Sequence, residues 1–173
     1  MPEAQSDPMA KWTRAPDWTS ARLERSGWRA RPAPDLFQTL LTGKLDAALA
    51  SFNPRPKSIG LWEIASAWSA IRIGRDRALV VGNRPAALAT GWRADGWAAS
   101  DASDAYRALD ISGANLRSII AEATSADMDA GSPSASILFV GVPALLYRLG
   151  HDEARLHVEA SFAPHVWRWL ETR

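Results

Sequence analysis

The sequence predicts an α+β fold, an antiparallel or mixed sheet with helices packed on one face. Three observations carry that prediction. Roughly the last seventy residues read in the order β-α-β-β-β-α. Two stretches there, 113–124 and 162–172, place apolar residues at helical spacing, whereas the runs between them are short, β-prone and bounded by turn residues. The helices are also well separated along the chain, unlike the regular strand-helix alternation of a parallel sheet.

From the N-terminus, residues 1–34 are punctuated by Pro2, Pro8, Pro16, Pro32 and Pro34 and show neither a helical nor a strand period. A helical region is predicted over 36–52. Asp35 after Pro34 suits an N-cap, and Phe37, Leu40, Leu41, Leu45, Ala48, Leu49 and Phe52 form one broad stripe. Gly43 interrupts the stripe and divides it into two shorter helices, and Asn53-Pro54 and Arg55-Pro56 stop it. Residues 58–82 read as strands: Trp62, Ile64 and Trp68 share a parity, and Ile71 and Ile73 are separated from Ala78-Leu79-Val80-Val81 by the turn-like Gly74-Arg75-Asp76-Arg77. Asp95-Gly96 between Trp92 and Trp97 predicts a hairpin turn. A strand follows over 106–111, then a helix over 113–124, capped by Ser112 and faced by Leu116, Ile119, Ile120 and Ala123. Residues 137–142 and 144–148 are strands around Val142-Pro143, and Gly150-His151-Asp152 is a turn. Arg155-Leu156-His157-Val158-Glu159 alternates as a half-buried strand. Ser161 caps the last helix, 162–172, with Pro164 in its first turn and Phe162, Val166, Trp169 and Leu170 inside. No internal repeat is visible. The domain organisation read from this is an arm plus amphipathic helical region over 1–57 and an α+β domain over 58–173.

Composition bounds the function. The 173 residues are 47% hydrophobic and 23% charged, which is a globular balance. With 20 Lys and Arg against 19 Asp and Glu, there is no global field to hold nucleic acid or an anionic membrane. The absence of cysteine excludes disulfides, thiolate metal sites and thiol nucleophiles and fits a reducing, cytoplasmic setting. There is neither a membrane-spanning apolar run nor a secretory h-region.

Motifs for chemistry fail one after another. No Gly-x-Ser-x-Gly elbow occurs, and Ser132, Ser134 and Ser136 fall in a turn-rich loop. His151, His157 and His165 show no His-Glu-x-x-His spacing and read as surface or boundary residues, with His157 on the polar side of its strand. Asp101-Ala102-Ser103-Asp104 reads as a turn held by side-chain oxygens, and Asp127 and Asp129 are spaced to point the same way. Gly43-Lys44 lacks the upstream glycine of a phosphate loop, and no Gly-x-Gly-x-x-Gly occurs. No catalytic, cofactor-binding or metal-binding residue is assigned.

The arm is different. It interleaves Trp12, Trp18 and Trp28 with six basic and four acidic residues, a net of +2. Trp and Arg anchor protein interfaces, while stacking beside cations serves single-stranded nucleic acids. Three readings stand: a partner interface, packing on the chain's own core, and nucleic-acid contact. The partner reading assigns Trp12, Trp18, Trp28, Phe37 and Leu41 to docking and expects a core that folds without residues 1–34.

A resemblance sharpens this. The stretch from Ala78 to Leu170 resembles the gamma subunit of heterotetrameric sarcosine oxidase. Its carriers are Arg77-Ala78-Leu79-Val80-Val81-Gly82, the run from Asp101 through Asp110-Ile111-Ser112-Gly113, Ile119-Ile120-Ala121 with Ala126-Asp127-Met128, the run from Ile137 through Val142-Pro143 to Arg148, and Leu156-His157-Val158-Glu159-Ala160-Ser161-Phe162-Ala163 with Trp167-Arg168-Trp169-Leu170. These motifs are structural and cover a little over half the chain. The resemblance implies a fold like the folate-binding domain of the glycine-cleavage T-protein. It also implies membership of a complex that oxidatively demethylates an N-methyl amino acid and passes the one-carbon unit to tetrahydrofolate. FAD, FMN, NAD, zinc and tetrahydrofolate would sit on partner subunits, with none in this chain. The T-protein's Gly-Tyr-Thr-Gly-Glu hairpin is absent; its place reads Arg148-Leu149-Gly150-His151-Asp152-Glu153. The alternatives are a stand-alone tetrahydrofolate-binding protein and a small nucleic-acid-binding protein.

Overall fold

A computed structural model describes residues 15–86 and 88–173. The elements are β1 (Leu23–Arg25), β2 (Trp28–Pro32), β3 (Phe37–Gly43), α1 (Leu45–Ala50), β4 (Lys57–Ile59), β5 (Trp68–Arg72), β6 (Arg77–Gly82), β7 (Gly91–Arg93), β8 (Trp97–Asp101), β9 (Tyr106–Ser112), α2 (Leu116–Ala123), β10 (Ser136–Phe139), β11 (Val142–Arg148), β12 (Glu153–Glu159) and α3 (Ala163–Glu171). They build two six-stranded sheets, one in the order β1-β2-β9-β12-β11-β10 and the other β4-β5-β6-β3-β8-β7. Every pairing within a sheet is antiparallel except the parallel pair β4·β5.

Strand alternation sorts the apolar side chains into three layers. Leu109 and Ile111 of β9, Leu146 of β11, and Leu156 and Val158 of β12 point outward, where α2 and α3 cover them with Leu116, Ile120, Val166 and Leu170. Leu41, Ala78, Val80 and Trp97 point outward from the second sheet, under Leu45, Ala48 and Leu49 of α1. Between the sheets lie Ile59, Ile71, Leu79, Val81, Leu145 and Tyr147. The expected single sheet with helices on one face is therefore two sheets, each with its helices on the outer side.

The two halves share a connectivity. In one, β3-α1-β4-β5-β6 returns so that β6 pairs with β3, and the hairpin β7–β8 adds to the other edge of β3. In the other, β9-α2-β10-β11-β12 returns so that β12 pairs with β9, and the hairpin β1–β2 adds to the other edge of β9. Each half seats a glycine at the end of its first strand. A Cβ on Gly43 (φ 97°) would collide with the carbonyl of Gly96 and come within 2.9 Å of Trp97 Cα. A Cβ on Gly113 (φ 129°) would collide with the carbonyl of Gly27 and come within 2.7 Å of Trp28 Cα. The same Gly-Trp pair thus meets the same terminal glycine twice.

Several expectations are corrected. Residues 37–43 form the interior strand β3, not a helix, and only 45–50 are helical. Gly43 in the left-handed region ends the strand, and Thr39 and Thr42 are β-branched residues that favour it. Within the expected 1–57 arm, the described residues 15–57 are not set apart from the domain; residues 1–14 lie outside the described residues. β2 pairs with β9 along its length, Arg25 donates to the last carbonyls of the chain (Nη2 to Glu171 O 3.0 Å, Nε to Arg173 O 3.1 Å), and the amide of Asn115 donates to Gly27 O at 2.9 Å. The caps of α2 and α3 are Asn115 and Phe162 rather than Ser112 and Ser161. The hairpins at 74–77 and 94–96, and the β-α-β-β-β-α order of the C-terminal part, are as expected. Among the described residues, no helix is long and apolar enough to cross a membrane.

Candidate functional site

The sites expected from the sequence go to different places. Trp12 lies outside the described residues. Trp28 is 5% exposed and Leu41 0%, each inside one of the outward-facing cores, so neither presents a surface to a partner. Their parity explains it: both sit on interior strands, on the face covered by helices. Trp18 is half-buried edge-on against Trp167 (centroids 5.8 Å apart, planes at 78°), with the Arg107 guanidinium 5.4 Å from its ring centre. It packs on the chain's own core. Of the four that lie among the described residues, Phe37, 41% exposed, remains on the surface.

The carboxylates are local. Asp101 Oδ1 accepts from the Ser103 amide (3.0 Å) and hydroxyl (2.7 Å), which is the turn expected. Asp127 accepts from the amides of Asp129 and Ala130, and Asp129 pairs with Arg117, so the two do not converge on one cavity. Among the described residues, no group of three or more His, Asp and Glu side chains could hold a metal ion. His151 is exposed beside Asp152, and His165 Nε2 donates to Val140 O at 3.1 Å.

His157 is the exception. It is fully buried, not at a boundary. The polar side of β12 is the side that faces the second sheet, so the alternation that sends Leu156 and Val158 to the helices sends Arg155 and His157 between the sheets. Registry then lines up a polar row: Tyr147 of β11 opposes Arg155, and Arg155 opposes Asp110 of β9. Arg155 grips Asp110 with two parallel bonds, Nε to Oδ1 at 2.6 Å and Nη2 to Oδ2 at 2.9 Å. Their side chains are 12% and 4% exposed.

The next bonds cross to the other sheet. Gln38 of β3 donates through Nε2 to the carbonyls of Ser103 (3.3 Å) and Tyr106 (3.0 Å). Its Oε1 is therefore the acceptor facing His157 Nδ1, 2.7 Å away. Nδ1 then carries the imidazole proton, and Nε2 accepts from the Tyr147 hydroxyl at 2.8 Å. Burial, and then the charge of Arg155, lower the His157 pKa to about 3, which keeps the ring neutral. Burial likewise pushes the Tyr147 phenol well above its ordinary value. Burial works against the Arg155 charge, but the bonds to Asp110 and the neighbouring Tyr147 outweigh it.

A cleft of about 290 Å³ opens beside this network, lined by Leu36, Ala65, Ser69, Val81, Tyr147 and Arg155. The chemistry available there is limited. Both nitrogens of His157 are committed, so it has no free lone pair to act as a base. Tyr147 is held protonated, and Arg155 is neutralised by Asp110. The arrangement is a polar bolt between the sheets, and no nucleophile stands beside a base within it.

The comparisons with known proteins follow the fold. No protein-family model matches the chain, and no curated protein matches it. Among solved structures, the chain is similar to one chain of the heterotetrameric sarcosine oxidase from Corynebacterium sp. U-96 in complex with pyrrole 2-carboxylate. The TM-score is 0.63 at 20% sequence identity, over 83% of this chain and 81% of that one. At that identity the likeness is one of fold.

Proposed function

We propose that the chain is the gamma-type subunit of a sarcosine-oxidase-like hetero-oligomer. It would carry out no reaction of its own, in a complex that oxidatively demethylates an N-methyl amino acid and passes the one-carbon unit to tetrahydrofolate. The observation supporting this is the fold shared, over about four-fifths of each, with a chain of a heterotetrameric sarcosine oxidase. The polar network between the sheets is closed upon itself, which suits a supporting role. In this reading the flavins, dinucleotide, zinc and folate of such a complex would sit on the partner subunits, in a cytoplasmic setting.

Affinity purification of the tagged chain from its native host tests the reading. The expected result is stoichiometric recovery of flavin-bearing subunits with sarcosine-dependent oxygen consumption. Calorimetry of the lone chain with tetrahydrofolate separates the alternative. Stoichiometric micromolar binding, with no partner recovered, would replace the subunit reading with a stand-alone folate-binding protein.

A further inference from the structure

We propose that the open ledge of β8 and β7, with the groove at its inner end, is where a partner subunit docks an extended segment bearing a basic side chain next to an apolar one. The inference rests on the subunit reading above and names the face it uses.

The sheets overlap only in part. The layer between them takes side chains from β4, β5, β6 and β3 of the second sheet, and that sheet continues beyond β3 as β8 and β7. Trp97 and Ala99 of β8 face α1, so Ala98 and Ser100 face the other way. Trp92 of β7 opposes Ala98, and Ser100 opposes Leu40 of β3. Leu40, Ser100, Ala98 and Trp92 therefore form one continuous face that runs out from between the sheets. Trp92 is 70% exposed. Where the ledge meets the first sheet, a groove of about 290 Å³ is lined by Leu40, Ser100, Asp101, Tyr106, Glu159 and Ala160.

The other half of the fold supplies an internal control. In its equivalent ledge, on β2 and β1, Glu24 opposes Arg29 as Trp92 opposes Ala98, and Glu24, Arg29 and Arg31 are all exposed to water. The register position of Trp92 is thus a carboxylate in one half and an open indole in the other. An exposed Trp on a flat sheet face is an interface signal. β7 is also an edge strand, so an extended segment can pair with its free backbone groups.

Charge selects the occupant. The ionisable groups lining the groove with a formal charge are Asp101 and Glu159, both carboxylates. Asp101 spends Oδ1 on Ser103, and no ion pair of Glu159 exists among the described residues. The nearby guanidiniums do not fill this role. Arg93 lies over the ring of Trp97 on the opposite face, and Arg77, whose charge reaches Tyr106, is not among the lining residues. A partner's Arg or Lys in the groove, with its apolar neighbour on Trp92, complements both the charge and the indole.

The test is co-expression of the full chain with flavoprotein subunits of sarcosine-oxidase type from the same organism, followed by size exclusion and titration. Trp92→Glu and Glu159→Lys are surface changes, and each variant's thermal midpoint should match the wild type. Each is expected to weaken assembly at least tenfold, and the wild-type affinity should fall with added salt. Wild-type assembly that neither variant alters overturns the docking face and leaves the subunit reading standing. A wild type that assembles with no such partner sinks both. Self-association of the lone chain that Trp92→Glu abolishes assigns the ledge to a second copy instead and overturns the proposal.

Discussion

His157 Nδ1 lies 2.7 Å from Gln38 Oε1, and that bond joins an interior strand of one sheet to an interior strand of the other. Both side chains are buried. Replacing Gln38 with Leu strands the imidazole N–H and two backbone carbonyls at once. Each buried unsatisfied group costs about 1–3 kcal/mol, so a loss of roughly 3 kcal/mol is expected in urea unfolding. Pairing Gln38→Leu with His157→Leu should cost less than the sum of the two single changes, because the second removes the group the first orphaned.

The same ring sets a pH dependence. Its folded pKa, about 3, lies below the ordinary histidine value of 6.5, so the unfolded chain binds the extra proton between those values. The contribution is fully present above pH 6.5, is lost as pH falls towards 3, and is level below that. The slope expected from this group is about 1.4 kcal/mol per pH unit at its steepest. Urea midpoints measured from pH 7 to pH 4 should fall accordingly. A His157→Gln variant should flatten the profile over that range, and an unchanged slope in the variant would assign the effect to other groups.

Asp110 and Arg155 form the costlier pair. Asp110→Ala leaves a guanidinium buried without its carboxylate, and breaking a buried pair from one side costs about 3–5 kcal/mol. The double change Asp110→Leu with Arg155→Met should recover most of that, because no orphaned charge remains. Thermal unfolding of the three variants checks the order.

The C-terminal half was legible because its strands alternate cleanly and its helices carry single stripes, as with Leu156 and Val158 on one side of β12 and Leu116, Ile119 and Ile120 on α2. Residues 36–52 mislead because Leu40, Leu41, Leu45, Ala48 and Leu49 satisfy a helical period across what is half strand and half helix. The true marker was Gly43, at the junction. The burial of Trp28 was hidden because β1 and β2 are three and five residues long, too short to show a period. Sequence put His157 on the polar side of β12 correctly. That this side would be covered by a second sheet depends on β3, some 120 residues away, and no local pattern encodes it. The repeat is not visible in the sequence because its trace is confined to Gly27-Trp28, Gly96-Trp97 and the two terminal glycines.

Those glycines carry a prediction of their own. Gly43→Ala and Gly113→Ala each force a side chain into a left-handed conformation and against a backbone carbonyl. The conformational strain alone is about 1–2 kcal/mol, and the collision adds to it. Gly131, also at positive φ (64°) but with open space where its Cβ would lie, should cost only the first part as Ala. Unfolding free energies that fail to separate Gly131→Ala from the other two would refute the packing role.

Truncation is the sharpest test of how the chain begins its fold. Removing residues 1–34 takes away β1 and β2, uncovers the edge of β9, and withdraws Leu23, Trp28 and Ala30 from the core under α2 and α3. It also removes Arg25 from the carbonyls after α3. Loss of one buried Trp costs about 3–5 kcal/mol, a large share of a domain's stability of about 5–15 kcal/mol. The shortened chain is therefore expected to be aggregated or to lack a cooperative thermal transition, with its free β9 edge open to pairing. Trp28→Ala in the full-length chain isolates the core term from the edge term and should remain folded with a lowered midpoint. A truncated chain that melts cooperatively near the full-length temperature would return residues 15–34 to the status of a detachable arm.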